Sequence, residues 1–181
     1  MASSIDICNL SLAHLGEDPT ISSIDPPEGS AHAEKCKRFY PIARDVALEM
    51  RNWSFAMKRV TLAEVTNDSD AWAYKYAIPA DCMRPVSILS PGATDEVRNT
   101  EDFTREGDYL YTNTEGAVLV YLYKITDTTK FPPMFVNAVS WLLASYLAGA
   151  ICEDKEVKTW CLEMFNRELS LSAQSVANAG Q

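Results

Sequence analysis

One run of the 181-residue sequence carries no charged side chain, from residue 134 to residue 152, and it limits the possible folds more than any other feature. Pro132 and Pro133 come directly before it, and proline is tolerated in the first turn of a helix. About 20 apolar residues can cross a bilayer, but this run is diluted by polar and small side chains. They include Asn137, Ser140, Ser145 and Gly149. We therefore expect a central helix that is buried on most sides rather than a membrane span.

Three other segments repeat apolar residues every three or four positions, which is the spacing of a helix. The first begins after Ser3 or Ser4, either of which can cap a helix, and ends at Gly16. The second runs from residue 31 to about 52, and the last from about 154 to 169. With the central helix, these segments predict a bundle of about four helices.

Between the helices the apolar period shortens to two, which is typical of strands. Trp72, Tyr74 and Tyr76 alternate with smaller or charged residues. Two turn clusters, at Gly107 and at residues 113–116, then separate runs rich in tyrosine, valine and leucine. Such runs predict an antiparallel meander.

Together these patterns predict an α+β fold class. The helical bundle takes in residues 1–58 and 131–181, and the inserted antiparallel β domain takes in residues 59–130. A chain of this length can bury roughly 70% of the surface that its unfolded form exposes, so its core needs no metal or disulfide.

The net charge of −9 is unevenly distributed. Residues 31–60 carry seven Lys or Arg and three acids, whereas residues 1–30 carry five acids and no Lys or Arg. Residues 61–130 carry six basic and twelve acidic groups. The overall charge argues against a protein that grips nucleic acid, because affinity for phosphate comes from clustered cations. The basic stretch could touch nucleic acid, but a helix face that pairs with acids of the same or a neighbouring subunit is the commoner use.

From this stretch we expect a protein interface that includes Lys35, Lys37 and Arg38. A subunit of a closed ring needs two different complementary faces, because neighbours meet head to tail. One basic segment between acidic ones can provide them.

The five cysteines are widely spread, and no pair has the close spacing of a zinc or redox motif. We expect buried free thiols. The first sixteen residues lack the basic stretch and long apolar core of a secretion signal, so synthesis in a cytoplasm is expected.

The sequence offers no motif for a cofactor, a metal or a nucleophile. Its seven glycines are isolated from one another, so no phosphate-binding loop can be built from them. His14 and His32 are the only histidines, and neither is near a metal-ligand pattern. No GxSxG nucleophile elbow occurs. We therefore expect no cofactor and no enzymatic activity.

Paired carboxylates leave one catalytic alternative open, since glycoside hydrolysis needs only two acids at the right separation. The pairs in predicted turns are Asp68 with Asp70, Asp95 with Glu96, Glu101 with Asp102, and Glu106 with Asp108. Solvated loop acids are the simpler interpretation. Aromatic side chains in the strand region could likewise stack on bases or sugars, but a sheet face packed on the helices is the simpler interpretation. These aromatic residues are Trp72, Tyr74, Tyr76, Tyr121 and Tyr123.

Four sequence blocks resemble the head-to-tail adaptor family of short-tailed bacteriophages, often called tail tubular protein A. In order they are ICNLSLAHLGEDPTISSID, FYPIARDVALEMRNWSFAMKRVTLAEV, YKYAIPADCMRPVSIL and VYLYKITDTTKFPPMFVNAVSWLLASYLAGAI. The most distinctive parts are Trp53 to Ala56 and Ile78 to Cys82. Each is short, so the order of the blocks carries the resemblance, which extends to about residue 170.

The resemblance implies a helical bundle with an inserted β domain, and a structural virion protein at the neck between head and tail. It implies a ring of twelve copies that contacts the portal protein and the tail nozzle protein. DNA would pass through the lumen without sequence-specific binding. Two alternatives stay open: a virion hydrolase of envelope polysaccharide such as peptidoglycan, and a cytosolic scaffold module.

The C-terminal residues 170–181 have no charge, and Leu171 and Val176 are their only sizeable apolar side chains. Such a segment has too little apolar surface to fold by itself. We expect it to be mobile in the free subunit and to become ordered against the portal or a neighbouring copy. Leu171 and Val176 are therefore further interface candidates.

Overall fold

The computed structural model of the chain describes residues 2–93, 100–152 and 154–179, and from residue 173 onward the backbone alone. These residues form four α-helices and two four-stranded antiparallel sheets, so the predicted α+β class with an inserted β domain is confirmed. The chain divides into two compact units. Residues 1–51 and 126–181 form the helical unit, and residues 52–125 form the β unit.

The helical unit contains α1 (Ser4–His14), α2 (Ala31–Glu49), α3 (Pro133–Ile151) and α4 (Lys155–Ala179). As predicted, α3 is the central helix: it packs against each of the other three. It is also the one helix in the described residues that is long and apolar enough to cross a membrane, and most of its side chains are buried in the helical unit.

Local sequence explains where the helices begin. Ser3 caps α1 by accepting from the Asp6 amide, and the Asp6 carboxylate accepts in return from the Ser3 amide. The bonds that the Asp6 carboxylate accepts from the Ser3 amide and hydroxyl hold the pKa of Asp6 below its ordinary value. Ser30 caps α2 through the Ala33 amide. Each cap satisfies an N–H group that has no partner inside the helix.

The predicted end of the last helix at residue 169 is wrong, because α4 continues to Ala179. Alanine is the best helix former, and neither glycine nor proline occurs in this segment before Gly180. Ser172 is buried and lies beside α2, where its hydroxyl meets the Arg51 guanidinium. The lack of charge after Glu168 therefore marks a polar helical extension and not the end of the helix.

The β unit contains β1 (Met57–Thr61), β2 (Ala63–Val65), β3 (Tyr74–Ala77), β4 (Cys82–Leu89), β5 (Thr100–Glu101), β6 (Phe103–Glu106), β7 (Tyr109–Thr112) and β8 (Val118–Tyr123). One sheet has the order β1-β8-β4-β5, and the other has the order β2-β3-β7-β6. The core of this unit includes Tyr76, Ile88, Leu110, Leu119 and Tyr121.

The expected meander of the last strands is only partly right. β6 and β7 form a hairpin around Gly107, but β7 and β8 are not paired. Both hydrogen-bonding edges of β7 are taken, one by β3 and one by β6. The chain therefore turns at Gly116, which has a φ of 61°, and β8 joins the other sheet between β1 and β4.

Each sheet carries a lysine, a tyrosine and an aspartate in the same arrangement. Lys58 lies opposite Tyr121, and the Asp81 carboxylate accepts from both the lysine Nζ, at 2.6 Å, and the tyrosine hydroxyl, at 3.0 Å. In the other sheet Lys75 lies opposite Tyr111, and Asp68 accepts from both, at 2.7 and 3.0 Å.

In each arrangement the lysine Nζ also lies over a second tyrosine ring, 4.0 Å from the Tyr123 centroid for Lys58 and 4.3 Å from the Tyr109 centroid for Lys75. The hydrogen bonds from the lysines hold the pKa values of Asp81 and Asp68 below their ordinary value. A cation that meets both a carboxylate and a ring face is stabilised by each.

Candidate functional site: a basic groove and an exposed tryptophan

The predicted interface residues Lys35, Lys37 and Arg38 come together at a groove of about 720 Å³ on the helical unit. Phe39 of α2 and Ala150 of α3 also line it. We call this site the α2 groove. Apolar and cationic side chains both line it, and its volume falls within the range of ligand-sized clefts.

The period of α2 explains why these residues face outward. Ala33, Cys36 and Tyr40 are buried at helical spacing, which leaves Lys35 and Arg38 on another face. The apolar surface continues beyond the cations, because Ile42 follows one turn after Arg38 and is 50% exposed.

Lys35 also caps the C-terminal end of the central helix, α3. Its Nζ donates to the backbone oxygen of Ala150 at 2.8 Å. The last carbonyl groups of a helix have no partner within it and carry a partial negative charge, so a lysine there is stabilising. This bond joins α2 to α3 at one edge of the groove.

The groove is not uniformly basic. Glu34 also lines it, and Lys37 lies 3.8 Å from the exposed Asp25 carboxylate. Such an exposed pair contributes little to stability. Arg38 is exposed and forms no ion pair among the residues that the structure describes.

The rest of the basic stretch serves other contacts. Arg44 is buried, and its guanidinium meets the Asp45 carboxylate at 2.7 Å. Arg51 donates to the backbone oxygen of Leu169, and Lys58 belongs to the β unit. Among the described residues of the helical unit, the cations that line the α2 groove are therefore confined to the first turns of α2.

The structure does not bring Leu171 to the groove. Leu171 lies on α4 and is 42% exposed, next to Ser172, which contacts Arg51 just beyond the C-terminal end of α2. At 1.5 Å per residue, Lys35 and the last residue of α2, Glu49, are about 21 Å apart along the helix axis. The Val176 side chain lies outside the described residues.

Sequence reasoning missed a surface on α4. Trp160 is 46% exposed and shares a shallow depression with Glu156 and Glu163, which precede it by four residues and follow it by three. Lys155 and Thr159 complete the lining. We call this site the α4 tryptophan surface. The period of α4 allows either Trp160 or Cys161 to face the core, and the structure buries Cys161.

The Trp160 ring contacts the first of two stacked rings. It meets the Trp141 ring edge to face, with centroids 5.0 Å apart. The Trp141 ring is stacked on that of His14 at 3.5 Å. Burial lowers the pKa of His14 to about 4, so its imidazole is neutral at pH 7.

Two of the paired carboxylates have hydrogen-bond partners among the described residues. Asp68 is bound to Lys75 and Tyr111, and Glu101 accepts from the Ser90 hydroxyl at 2.7 Å. Asp95 and Glu96 lie outside the described residues. In the described ranges, no group of three His, Cys, Asp or Glu is arranged to hold a metal ion.

The tyrosines and cysteines are placed mainly by the core. Tyr76 and Tyr121 are buried in a hydrophobic cluster formed by other residues of the β unit. All five cysteines are free thiols, but only Cys8, Cys36 and Cys161 are buried, and Cys82 and Cys152 are partly exposed. The neighbouring Cys36 thiol and burial together raise the pKa of Cys8.

No family model matches the chain, and no curated protein matches it either.

Proposed function

We propose that the chain is a head-to-tail adaptor of a short-tailed bacteriophage, a structural protein that forms a ring between the portal and the tail. The observation that carries the proposal is the order of the four resembling blocks, which together run from residue 7 to residue 151. The α+β fold, a helical unit with a β unit inserted in it, is the one that the resemblance implies.

The most distinctive residues of these blocks make structural contacts within the β unit. Trp53 and Ala56 are buried at the entry to β1. Asp81 holds Lys58 of β1 and Tyr121 of β8, so the turn before β4 fixes two neighbouring strands.

Two unlike surfaces on the helical unit also support the proposal. The α2 groove is mainly basic, and the α4 tryptophan surface is mainly acidic. Head-to-tail contact in a ring requires two different faces on each copy. The number twelve, the portal and the tail nozzle protein as partners, the passage of DNA and the location in the virion neck come from the resemblance.

The test is negative-stain imaging of the purified full-length protein, alone and mixed with the portal protein from the same virus. Portal particles that gain an added ring of density support an adaptor. Portal particles without added density, together with a chain that clears a peptidoglycan suspension, support the hydrolase alternative. In that case turnover should fall when Glu101 or Glu106 is changed to glutamine, which separates the chain's own activity from a contaminating host lysozyme.

A further inference from the structure

We propose that two copies of this chain bind each other by inserting Trp160 of one copy into the α2 groove of the other. The inference rests on the proposed function in one respect, that copies of the chain assemble with themselves. It adds the contact surfaces and the side chain that anchors them.

The anchor is a large aromatic ring that is exposed yet held in place. Trp160 is 46% exposed, and its contact with Trp141 fixes the ring from one side. Tryptophan is enriched among the few residues that supply most of the binding energy of protein interfaces. A ring already oriented in the free subunit loses little conformational freedom on binding.

The receiving site has the size and some apolar lining for such a ring. The α2 groove has a volume of about 720 Å³, and Phe39 and Ala150 are among its lining residues. The Phe39 ring in turn contacts that of Tyr146, with centroids 6.3 Å apart. Protein interfaces likewise combine apolar with polar and charged side chains.

The charges of the two surfaces are complementary. Three cations, Lys35, Lys37 and Arg38, and one acid line the groove. Two acids, Glu156 and Glu163, and one cation line the tryptophan surface. The minority charges, Glu34 in the groove and Lys155 beside the tryptophan, also have opposite signs. Complementary charges around the anchor raise the association rate and select one orientation.

Two variants of the full-length chain separate the two surfaces. Trp160→Ala removes the anchor and leaves the groove, and Arg38→Glu reverses a charge of the groove and leaves the anchor. Matched controls on the same unit are Met50→Ala, which truncates an apolar side chain 57% exposed at the end of α2, and Arg167→Glu on α4. Helix content by circular dichroism confirms that each variant is folded.

Self-association is measured by sedimentation velocity over a range of protein concentrations. We expect the wild-type chain and both controls to associate, and each test variant to weaken association at least tenfold in Kd, about the effect of losing one hot-spot residue. An equimolar mixture of the two test variants should associate again, because it contains one intact groove and one intact tryptophan surface. That mixture should form pairs that do not grow.

Several results would overturn the proposal. A wild-type chain that stays monomeric at all concentrations means that the two surfaces do not bind each other. Test variants that associate as tightly as the controls mean that copies meet elsewhere, and an intact ring on the portal in the same variants leaves the adaptor function standing. Variants that self-associate normally but no longer bind the portal show that the groove receives the portal instead.

Discussion

The two histidines of the chain allow one pH effect to be isolated. His14 lies at the end of α1, stacked on Trp141, with its Nε2 3.0 Å from the Ser140 hydroxyl oxygen. Ser140 donates its own proton to the Asn137 backbone oxygen at 2.7 Å. The Ser140 oxygen must therefore accept, so the neutral imidazole carries its proton on Nε2.

The direction of the effect follows from burial. Burial lowers the pKa of His14 from 6.5 to about 4 in the folded chain. Between these values the unfolded chain binds a proton that the folded chain does not, so the stability of the helical unit falls as the pH falls. Above pH 6.5 the titration of His14 does not change the free energy of unfolding. Below about pH 4 its full destabilising effect is present.

The size of the effect can be worked from the same values. A difference of about 2.5 between the two pKa values corresponds to about 3 kcal/mol. A protonated imidazole over the Trp141 ring recovers about 0.5 to 2 kcal/mol by cation–π attraction, so we expect a net loss of about 1 to 3 kcal/mol.

The assay is urea unfolding followed by far-ultraviolet circular dichroism, since the four described helices all belong to the helical unit. His14→Phe keeps a flat ring on Trp141 but cannot titrate, so its stability should change less than that of the wild type between about pH 4.5 and 7. The control His32→Gln should retain the wild-type slope. Parallel curves for the wild type and His14→Phe would refute the reasoning.

Four further predictions concern packing and the chain end. Tyr76→Phe should lower the stability of the β unit by about 1 kcal/mol, because the Tyr76 hydroxyl donates to the Thr114 backbone oxygen at 2.9 Å. Tyr109→Phe, at a residue that is 41% exposed, should change this stability little. Hydrogen exchange of β-unit amides measures both effects. Asp81→Asn should destabilise the β unit at neutral pH, and its difference from the wild type should vanish as the pH falls from 3.8 through the lower folded pKa of Asp81, measured in the same exchange experiment. Phe165→Ala should cost about 3 to 5 kcal/mol in urea unfolding, because this α4 ring is buried. Deleting residues 173–181 should leave the melting temperature of the helical unit nearly unchanged and abolish portal binding in a pull-down; unchanged binding would show that the chain end is not the docking element.

Local signals made much of the fold predictable. Ser3 and Ser30 cap α1 and α2 where helical spacing begins, and Pro133 is the first residue of α3. The starts of these helices therefore depend on residues next to them in the sequence. The pairing of β8 with β1 and β4, rather than with β7, was not predictable. It depends on β3, more than thirty residues before β7, which already occupies one edge of β7. Strand pairing of this kind is nonlocal and leaves no local mark in the sequence.

The candidate site was predictable only in part for a similar reason. Lys35 and Arg38 were found because the charges of one helix are visible in its sequence. The presence of Ala150 in the same groove depends on the packing of α2 against α3. Trp160 and Cys161 are adjacent, about 100° apart around a helix, so the period of α4 could not decide which of them faces the core.

The two surfaces on the helical unit also limit how copies can assemble. They lie on different helices, so one contact leaves each pair with an unused groove and an unused tryptophan. If two copies can satisfy both contacts reciprocally, association stops at a dimer with a two-fold axis. If the geometry forbids this, each added copy presents another free groove, and assembly continues until a ring closes or a filament forms. A wild-type chain that stops at dimers would thus argue against a ring closed through the tryptophan contact, whereas assemblies larger than dimers that are lost in Trp160→Ala would support both the contact and the ring.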